Sequence, residues 1–317
     1  MSTRRRLARR VIRVFLPFVL IVVVVAAIAM IWIAYGIMRP PRAPYLVTPQ
    51  TFSQVTGPAL KAVDVTWNNR DGTKARGWLI RGTEGASAVI LLHRYGADRS
   101  WLLNLAVKLN ETTNFTVLWP DLRGHGENPL VSTSLFGAVE GDDAIAAIDY
   151  LHTLTTPLGK PQIGGRIGLY GVELGAYAAL DAARRTPEVR AMALDSTPGS
   201  PDDLIRAVTN RHAAMNNSLL QRLGSWGVRI YSLGKYHNIP SCDLARSLRE
   251  VKIVLLTGDE GDPWRASTLA LGKCFPGGAI EVKKDLTLTG FNLPASTGEQ
   301  EEGYDRPVID FFDKALR

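Results

Sequence analysis

The sequence predicts an α/β domain, a mostly parallel sheet covered by helices on both faces, behind one N-terminal membrane-spanning helix. Two observations carry this. Short apolar, β-branched runs alternate with stretches of helical period along most of the 317 residues, and strands that alternate with helices build a parallel sheet buried on both sides. Residues 14–38, VFLPFVLIVVVVAAIAMIWIAYGIM, are uncharged and mostly apolar, and about 20 such residues cross a bilayer as a helix.

The N-terminal elements follow in order. Residues 1–13, MSTRRRLARRVIR, hold six arginines and no acid. The net charge of +7 is concentrated there, because the rest of the chain has 31 basic against 30 acidic residues. A nearly neutral body excludes nucleic acid as an expected partner. The span is too long for the core of a signal peptide, and RPPRAP follows it with no small-x-small cleavage site, so a retained anchor is expected. Pro17 lies near its start, where a helix tolerates proline, and Trp32 and Tyr35 suit an interfacial position at its far end. Arginines before the span keep the N-terminus cytoplasmic. The remainder then faces the periplasm or the cell exterior, and the bilayer is the first expected partner. Residues 39–49, RPPRAPYLVTP, read as a stiff, extended spacer that holds the folded part, 50–317, off the membrane.

KAVDVTW (61–67) and KARGWLI (74–80) flank the turn signal NNRDGT and predict a β-hairpin. SAVILLH (87–93), FTVLWP (115–120), RIGLYG (166–171), VRAMALD (189–195) and VKIVLLTG (251–258) predict buried strands, and AIEVKK (279–284) a weaker one. Helical periods occupy 99–110, 139–154, 174–186, 264–273 and 304–316. Residues 198–241 break the alternation and are expected to form a cap after the sixth strand. Cys242 and Cys274 are the two cysteines; a disulfide, which an exported location permits, and two buried thiols both remain open. Sequons at Asn110, Asn114 and Asn216 bear on the protein only in a host that glycosylates exported chains.

Ligands of parallel sheets bind beyond the carboxyl ends of the strands, so the residues after each strand are the candidate site. They are His93-Arg94-Tyr95-Gly96, Asp121-Leu122-Arg123-Gly124-His125-Gly126, Gly171-Val172-Glu173-Leu174-Gly175-Ala176 and Asp259-Glu260-Gly261-Asp262. The segment GLYGVELG does not fit the G-x-G-x-x-G dinucleotide fingerprint. In their order, each after a strand, these motifs resemble the α/β-hydrolase superfamily over residues 60–316. The similarity is nearest to membrane-tethered, serine-aminopeptidase-like or dienelactone-hydrolase-like members, whose pattern is DG…GW, HGYG, D-x-RGHG, GxSxG and GxxD.

The resemblance implies a sharp strand-to-helix elbow, with Gly171 and Gly175 allowing close approach and residue 173 on its tip. It puts Glu173 at the nucleophile position and Asp262 at that of the acid. The base is expected near 286–296, LTLTGFNLPAS, which contains no histidine; Gly290, Phe291 and Asn292 stand near its place. Oxyanion donors fall at Leu174 and at or near Arg94, where the family has glycine. His93, Gly96, Asp121, Gly124, His125 and Gly126 take structural roles by the same analogy. Glu173 and Arg94 are expected to pair across the site, with the carboxylate accepting the N–H bonds meant for an oxyanion. Asp195 stands where some members place their acid, and Ser196 reads as a turn residue. His212 and His237 lie in the cap. No metal-ligand spacing or cofactor motif occurs, so neither is expected.

The resulting expectation is a membrane-anchored, non-catalytic binding or scaffold protein. One alternative is an ester or amide hydrolase working through Glu173 or a cap histidine. Relatives with aspartate at the elbow use such chemistry, but they need a histidine to activate water. Another alternative is a structural partner in a membrane complex, which predicts an exposed apolar patch on the cap.

Overall fold

The computed structural model describes residues 2–56, 61–277, 280–293 and 298–317, and the side chains of these except 2–12 and 55–56. The elements in order are α1 (Ser2–Ile37), α2 (Pro49–Thr56), β1 (Val63–Asn68), β2 (Lys74–Ile80), β3 (Ala86–Leu92), α3 (Leu103–Thr113), β4 (Thr116–Pro120), α4 (Glu140–His152), β5 (Ile163–Val172), α5 (Leu174–Ala183), β6 (Val189–Asp195), α6 (Pro201–Ala213), α7 (Ser218–Tyr231), α8 (Ser241–Ala245), β7 (Lys252–Gly258), α9 (Arg265–Leu271), β8 (Ile280–Leu286) and α10 (Gly298–Leu316). Residue 279 of the last expected strand and residues 294–296 of the expected base-bearing loop lie outside the described residues.

The eight strands form one sheet, ordered β1-β2-β4-β3-β5-β6-β7-β8. β1 pairs antiparallel with β2, and β2 antiparallel with β4. The remaining neighbours are parallel. The continuous apolar runs are the strands buried on both faces. Val89, Ile90, Leu91 and Leu92 of β3 and Val117, Leu118 and Trp119 of β4 lose all or nearly all contact with solvent. One core layer joins the sheet to α4 and α5; the other joins it to α3 and α10. Parallel strands leave all their C-terminal ends on one edge, and that is where the motif loops converge.

The cap is a helical hairpin. Ser200 caps α6 by accepting the Asp203 N–H, with Pro201 at the first helical position. Asn217 caps α7 by accepting the N–H groups of Leu219 and Leu220. These are the residue types that satisfy the free N–H groups of a helix start. Cys242 and Cys274 form a disulfide, with Cα atoms 5.2 Å apart; it ties the start of α8 to the loop after α9.

α1 contains a stretch, Arg13–Ile37, of mean hydropathy 3.2, long and apolar enough to cross a membrane. The segment after it differs from the expected stand-off spacer. Ile33, Ala34, Ile37 and Met38 are buried against the domain. The chain from Pro40 then runs along the domain surface. Ser134 N–H donates to Met38 O (2.8 Å), the Leu46 N–H donates to Ser100 Oγ (3.0 Å) and Tyr45 OH donates to Asp121 Oδ2 (2.7 Å). The physical reason is that the last turn of α1 is as apolar as the core and finds an apolar seat between α6, α7 and the motif loops. Once it is docked, the proline-rich segment has polar partners within reach.

Candidate active site

The site is built around the β5–α5 turn. Glu173 sits on its tip with φ 50° and ψ −106°, a strained conformation that a non-glycine residue holds only when its surroundings impose it. The two flanking glycines do so. A Cβ on Gly171 would stand 2.3 Å from Gly175 O, and one on Gly175 would stand 2.2 Å from Leu92 O. The strand and helix therefore approach as an elbow requires.

Glu173 is fully buried. The Tyr95 N–H donates to its Oε2 (3.0 Å), and the Trp264 indole N–H donates to its Oε1 (3.1 Å). Arg211 Nη2 of α6 lies 3.6 Å from Oε1. Burial pushes the carboxyl pKa up, opposed by the charges of Arg211 and Arg94 and by the two hydrogen bonds. Tyr95 also reaches the other way, its hydroxyl donating to Ile37 O (2.5 Å) at the end of α1.

The expected pairing of Glu173 with Arg94 does not form. Arg94 lies over the rings of Trp101 (4.3 Å) and Phe291 (5.0 Å), and its Nη1 donates to Tyr95 O (2.9 Å). Stacking between two rings holds the guanidinium to one side, and the cap arginine takes the place beside the carboxylate. Arg211 and Trp264 are not among the expected site residues, and Tyr95 stands there only as the neighbour of Arg94. For Tyr95 a signal existed, since it lies beside Arg94 in the loop assigned to oxyanion donors. Arg211 and Trp264 carry no local signal; only the folding of the cap and of the β7–α9 loop brings them in.

Asp262, expected at the acid position, is absorbed by its own loop. Its Oδ2 accepts Thr257 Oγ1–H (2.7 Å) and Gly258 N–H (2.8 Å), and its Oδ1 accepts Trp264 N–H (2.9 Å). Ser196 Oγ–H lies 2.8 Å from Asp195 Oδ1 and 3.3 Å from Asp262 Oδ2, so it bridges the two acids. Asp195 is fully buried; its Oδ2 accepts the Gly290 N–H (2.6 Å) and the Tyr304 hydroxyl. Burial, offset by these donors, pushes its carboxyl pKa up to about 6.

Near the expected base, Asn292 Oδ1 accepts the Thr289 N–H (2.9 Å) and caps the local turn. Gly290 leaves no room for a ring, since a Cβ there would meet Val172 Cγ2 at 2.4 Å. His93 is fully committed. Its Nε2 accepts the Leu122 N–H (3.0 Å), so Nδ1 carries the proton and donates to Arg94 O (2.8 Å). His125 lies edge-on to it with ring centroids 5.0 Å apart, and its Nδ1 donates to Arg123 O (2.9 Å). Burial pushes these two imidazoles down to about 4 and about 3. Asp121 accepts the Arg99 N–H (3.1 Å) in addition to Tyr45 and is 3.3 Å from Arg76 Nε. Gly96, Gly124 and Gly126 take positive φ in the turns after β3 and β4. Leu174 is the buried first residue of α5. Of the cap histidines, His212 packs on Trp32 at 4.9 Å and His237 lines a surface hollow with Arg123 and Asp143. Among the described residues no group of three metal-ligating side chains occurs.

These elements define an α/β protein whose site lies at a strand–elbow–helix turn on the carboxyl edge of a parallel sheet. No protein-family model matches the chain, and no curated protein matches it in sequence. Solved structures do match it in shape. It is similar to an esterase of Pyrococcus furiosus, at 20% identity with a TM-score of 0.67, over 88% of this chain and 98% of that one. It is similar to the α/β hydrolase GrgF of a Penicillium species, at 17% identity and TM-score 0.57, over 81% and 99%. It is also similar to an acylaminoacyl peptidase of Pyrococcus horikoshii, at 12% identity and TM-score 0.59, over 84% of this chain and 44% of that one. The chain has the α/β-hydrolase fold.

Proposed function

We propose that this chain is a membrane-anchored protein of the α/β-hydrolase fold whose former catalytic centre is now a structural ion pair, and that it acts by binding a small ligand or a protein partner. The observation that carries this reading is the engagement of Glu173. Its carboxylate takes the Tyr95 N–H, from the loop that supplies an oxyanion donor in relatives. It also takes the Trp264 indole and faces Arg211. A carboxylate so held is neither exposed nor free to attack. Residues 286–296 hold no histidine, and loss of the nucleophile or the base each costs acyl transfer several orders of magnitude. The arginines before the apolar span favour a cytoplasmic N-terminus and a domain outside the cytoplasm, where the Cys242–Cys274 disulfide is stable.

The test is hydrolysis of short-chain nitrophenyl esters and aminoacyl nitroanilides by the full chain in phosphatidylcholine nanodiscs, beside Glu173→Ala. No turnover in either protein is expected. Turnover that vanishes in the variant would make Glu173 a nucleophile, and equal turnover in both would place a working site elsewhere; either result overturns the reading.

A further inference from the structure

The cap carries an apolar face that the domain does not cover. Leu219, Trp226, Ile230 and, in the turn after α7, Leu233 are 63%, 62%, 56% and 90% exposed. Leu219, Trp226 and Ile230, seven and four residues apart, lie on one helical stripe, and Leu233 stands exposed just past the helix end at φ 49°. Gly224, Gly227 and Val228 lie on the opposite face and are buried. Arg222 and Arg229 lie along one border of the stripe; Arg229 pairs with Asp202 of α6 (2.6 Å), and the long side chain of Arg222 can reach polar surroundings from an apolar surface.

What covers this stripe is set by where α7 meets α1. A Cβ on Gly227 would stand 2.8 Å from Ala34 Cβ and 2.9 Å from Met30 O, so the two helices touch there. α1 is exposed from Arg13 through Val25 and partly covered from Ala26 onward, apart from outward-facing side chains such as Ile28 and Ile31. With the uncharged run beginning at Val14, a rise of 1.5 Å per residue puts Met30 about 24 Å and Ala34 about 30 Å along the helix. The hydrocarbon core is about 30 Å thick. The contact with α7 thus falls in the far edge of the hydrocarbon, not beyond it. Sliding α1 outward to bring α7 into water would draw Arg13 and its neighbours into the core, at about 2.5–3.5 kcal/mol per arginine.

We propose that α7 is an interfacial helix that seats the Leu219–Trp226–Ile230–Leu233 stripe in the outer leaflet of the bilayer. The inference rests on the reading that α1 spans that bilayer. An apolar face with a tryptophan in it and a basic side chain at its border is what a helix seated at a membrane surface needs. The contact with α1 fixes its depth, so the cap is clamped to the membrane surface at two places.

The test places one cysteine at a time at Ile230, Leu233, Val23 and Leu158 in the full chain. The native cysteines are joined to each other, so an environment-sensitive fluorophore reacts only with the introduced thiol. Emission is read in phosphatidylcholine nanodiscs with and without doxyl-labelled lipid. The expected result is blue-shifted emission, with loss of fluorescence on doxyl lipid, at 230, 233 and 23. The probe at Leu158, 81% exposed on the domain, should show neither. Quenching at 23 alone, with 230 and 233 behaving like 158, overturns the proposal and leaves the anchor standing. Blue-shifted but unquenched probes at 230 and 233 mean that protein, a second copy or a partner, covers the stripe, and this too overturns it. An unquenched probe at 23 overturns the anchor reading itself.

Discussion

Arg211, about half exposed on the cap, lies 3.6 Å from the fully buried carboxylate of Glu173 on the elbow. Each Glu173 oxygen also accepts one N–H, from Tyr95 and from Trp264. Glutamine has a single oxygen to offer two donors. Glu173→Gln should therefore cost about 1–3 kcal/mol, the penalty for a buried donor left unmatched. Arg211→Ala should cost about 1–2 kcal/mol, below the value for a fully buried pair because solvent screens its exposed side. The double variant should lose less than the sum of the two, read by denaturant unfolding of all four proteins.

A serine on the elbow should not confer hydrolysis. Glu173→Ser puts a hydroxyl on the elbow, but His93 and His125 each spend Nδ1 on a backbone carbonyl, and the last loop offers no imidazole. Nitrophenyl ester assays should show no burst and no rise over the parent protein, because an unactivated serine is a weak nucleophile. A burst of acyl-enzyme would show that a base exists that the geometry does not reveal.

Acid should weaken the fold through the histidine pair. Folded His93 and His125 take protons only near pH 4 and 3, whereas an unfolded histidine does so near 6.5. Their contribution is complete above pH 6.5 and is lost as pH falls, since the unfolded chain binds the extra protons. Asp143, Asp195 and Asp305, raised by burial to about 6, act in the opposite direction over roughly pH 6 to 4. The clean readout is a difference. The stability gap between the parent and His93→Gln should narrow by about 3 kcal/mol between pH 7 and pH 4. A gap that does not change with pH would mean that His93 is not buried as a neutral ring.

Gly175→Ala drives a methyl group to 2.2 Å from Leu92 O, backbone in the centre of the sheet that has nowhere to retreat. A loss of at least about 3 kcal/mol is expected, seen as a lowered thermal midpoint or as insoluble protein. A stability within 1 kcal/mol of the parent, about the spread of neutral substitutions, would mean that strand and helix are further apart than described.

The Cys242–Cys274 bond closes a loop of 32 residues. Loop entropy alone gives it about 3–4 kcal/mol. Reductant should lower the melting temperature of the parent and leave the Cys242→Ser, Cys274→Ser double variant unchanged. An identical response in both proteins would mean the bond does not form in solution.

The sequence by itself determined the sheet, the elbow and the lack of a histidine in residues 286–296. Each is a local property. Strands at 87–93 and 115–120 follow from runs that cannot be left in water, the elbow from two glycines four residues apart, and the missing imidazole from simple inspection of 286–296. The same reading paired Glu173 with Arg94, because both follow strands at one edge of the sheet. Tertiary structure decided otherwise. Arg94 is drawn aside by Trp101 and Phe291, and Arg211 arrives only because α6 folds back over the elbow. The spacer is the second case. Composition made it a stiff, free segment, but the buried last turn of α1 and the bond from Tyr45 to Asp121 lay it across the domain. Periodicity and turn chemistry act over a few residues and can be read along the chain. Which charge meets a buried carboxylate, and where an apolar helix end finds its seat, depend on surfaces made by residues far apart in sequence, and those exist only once the chain has folded.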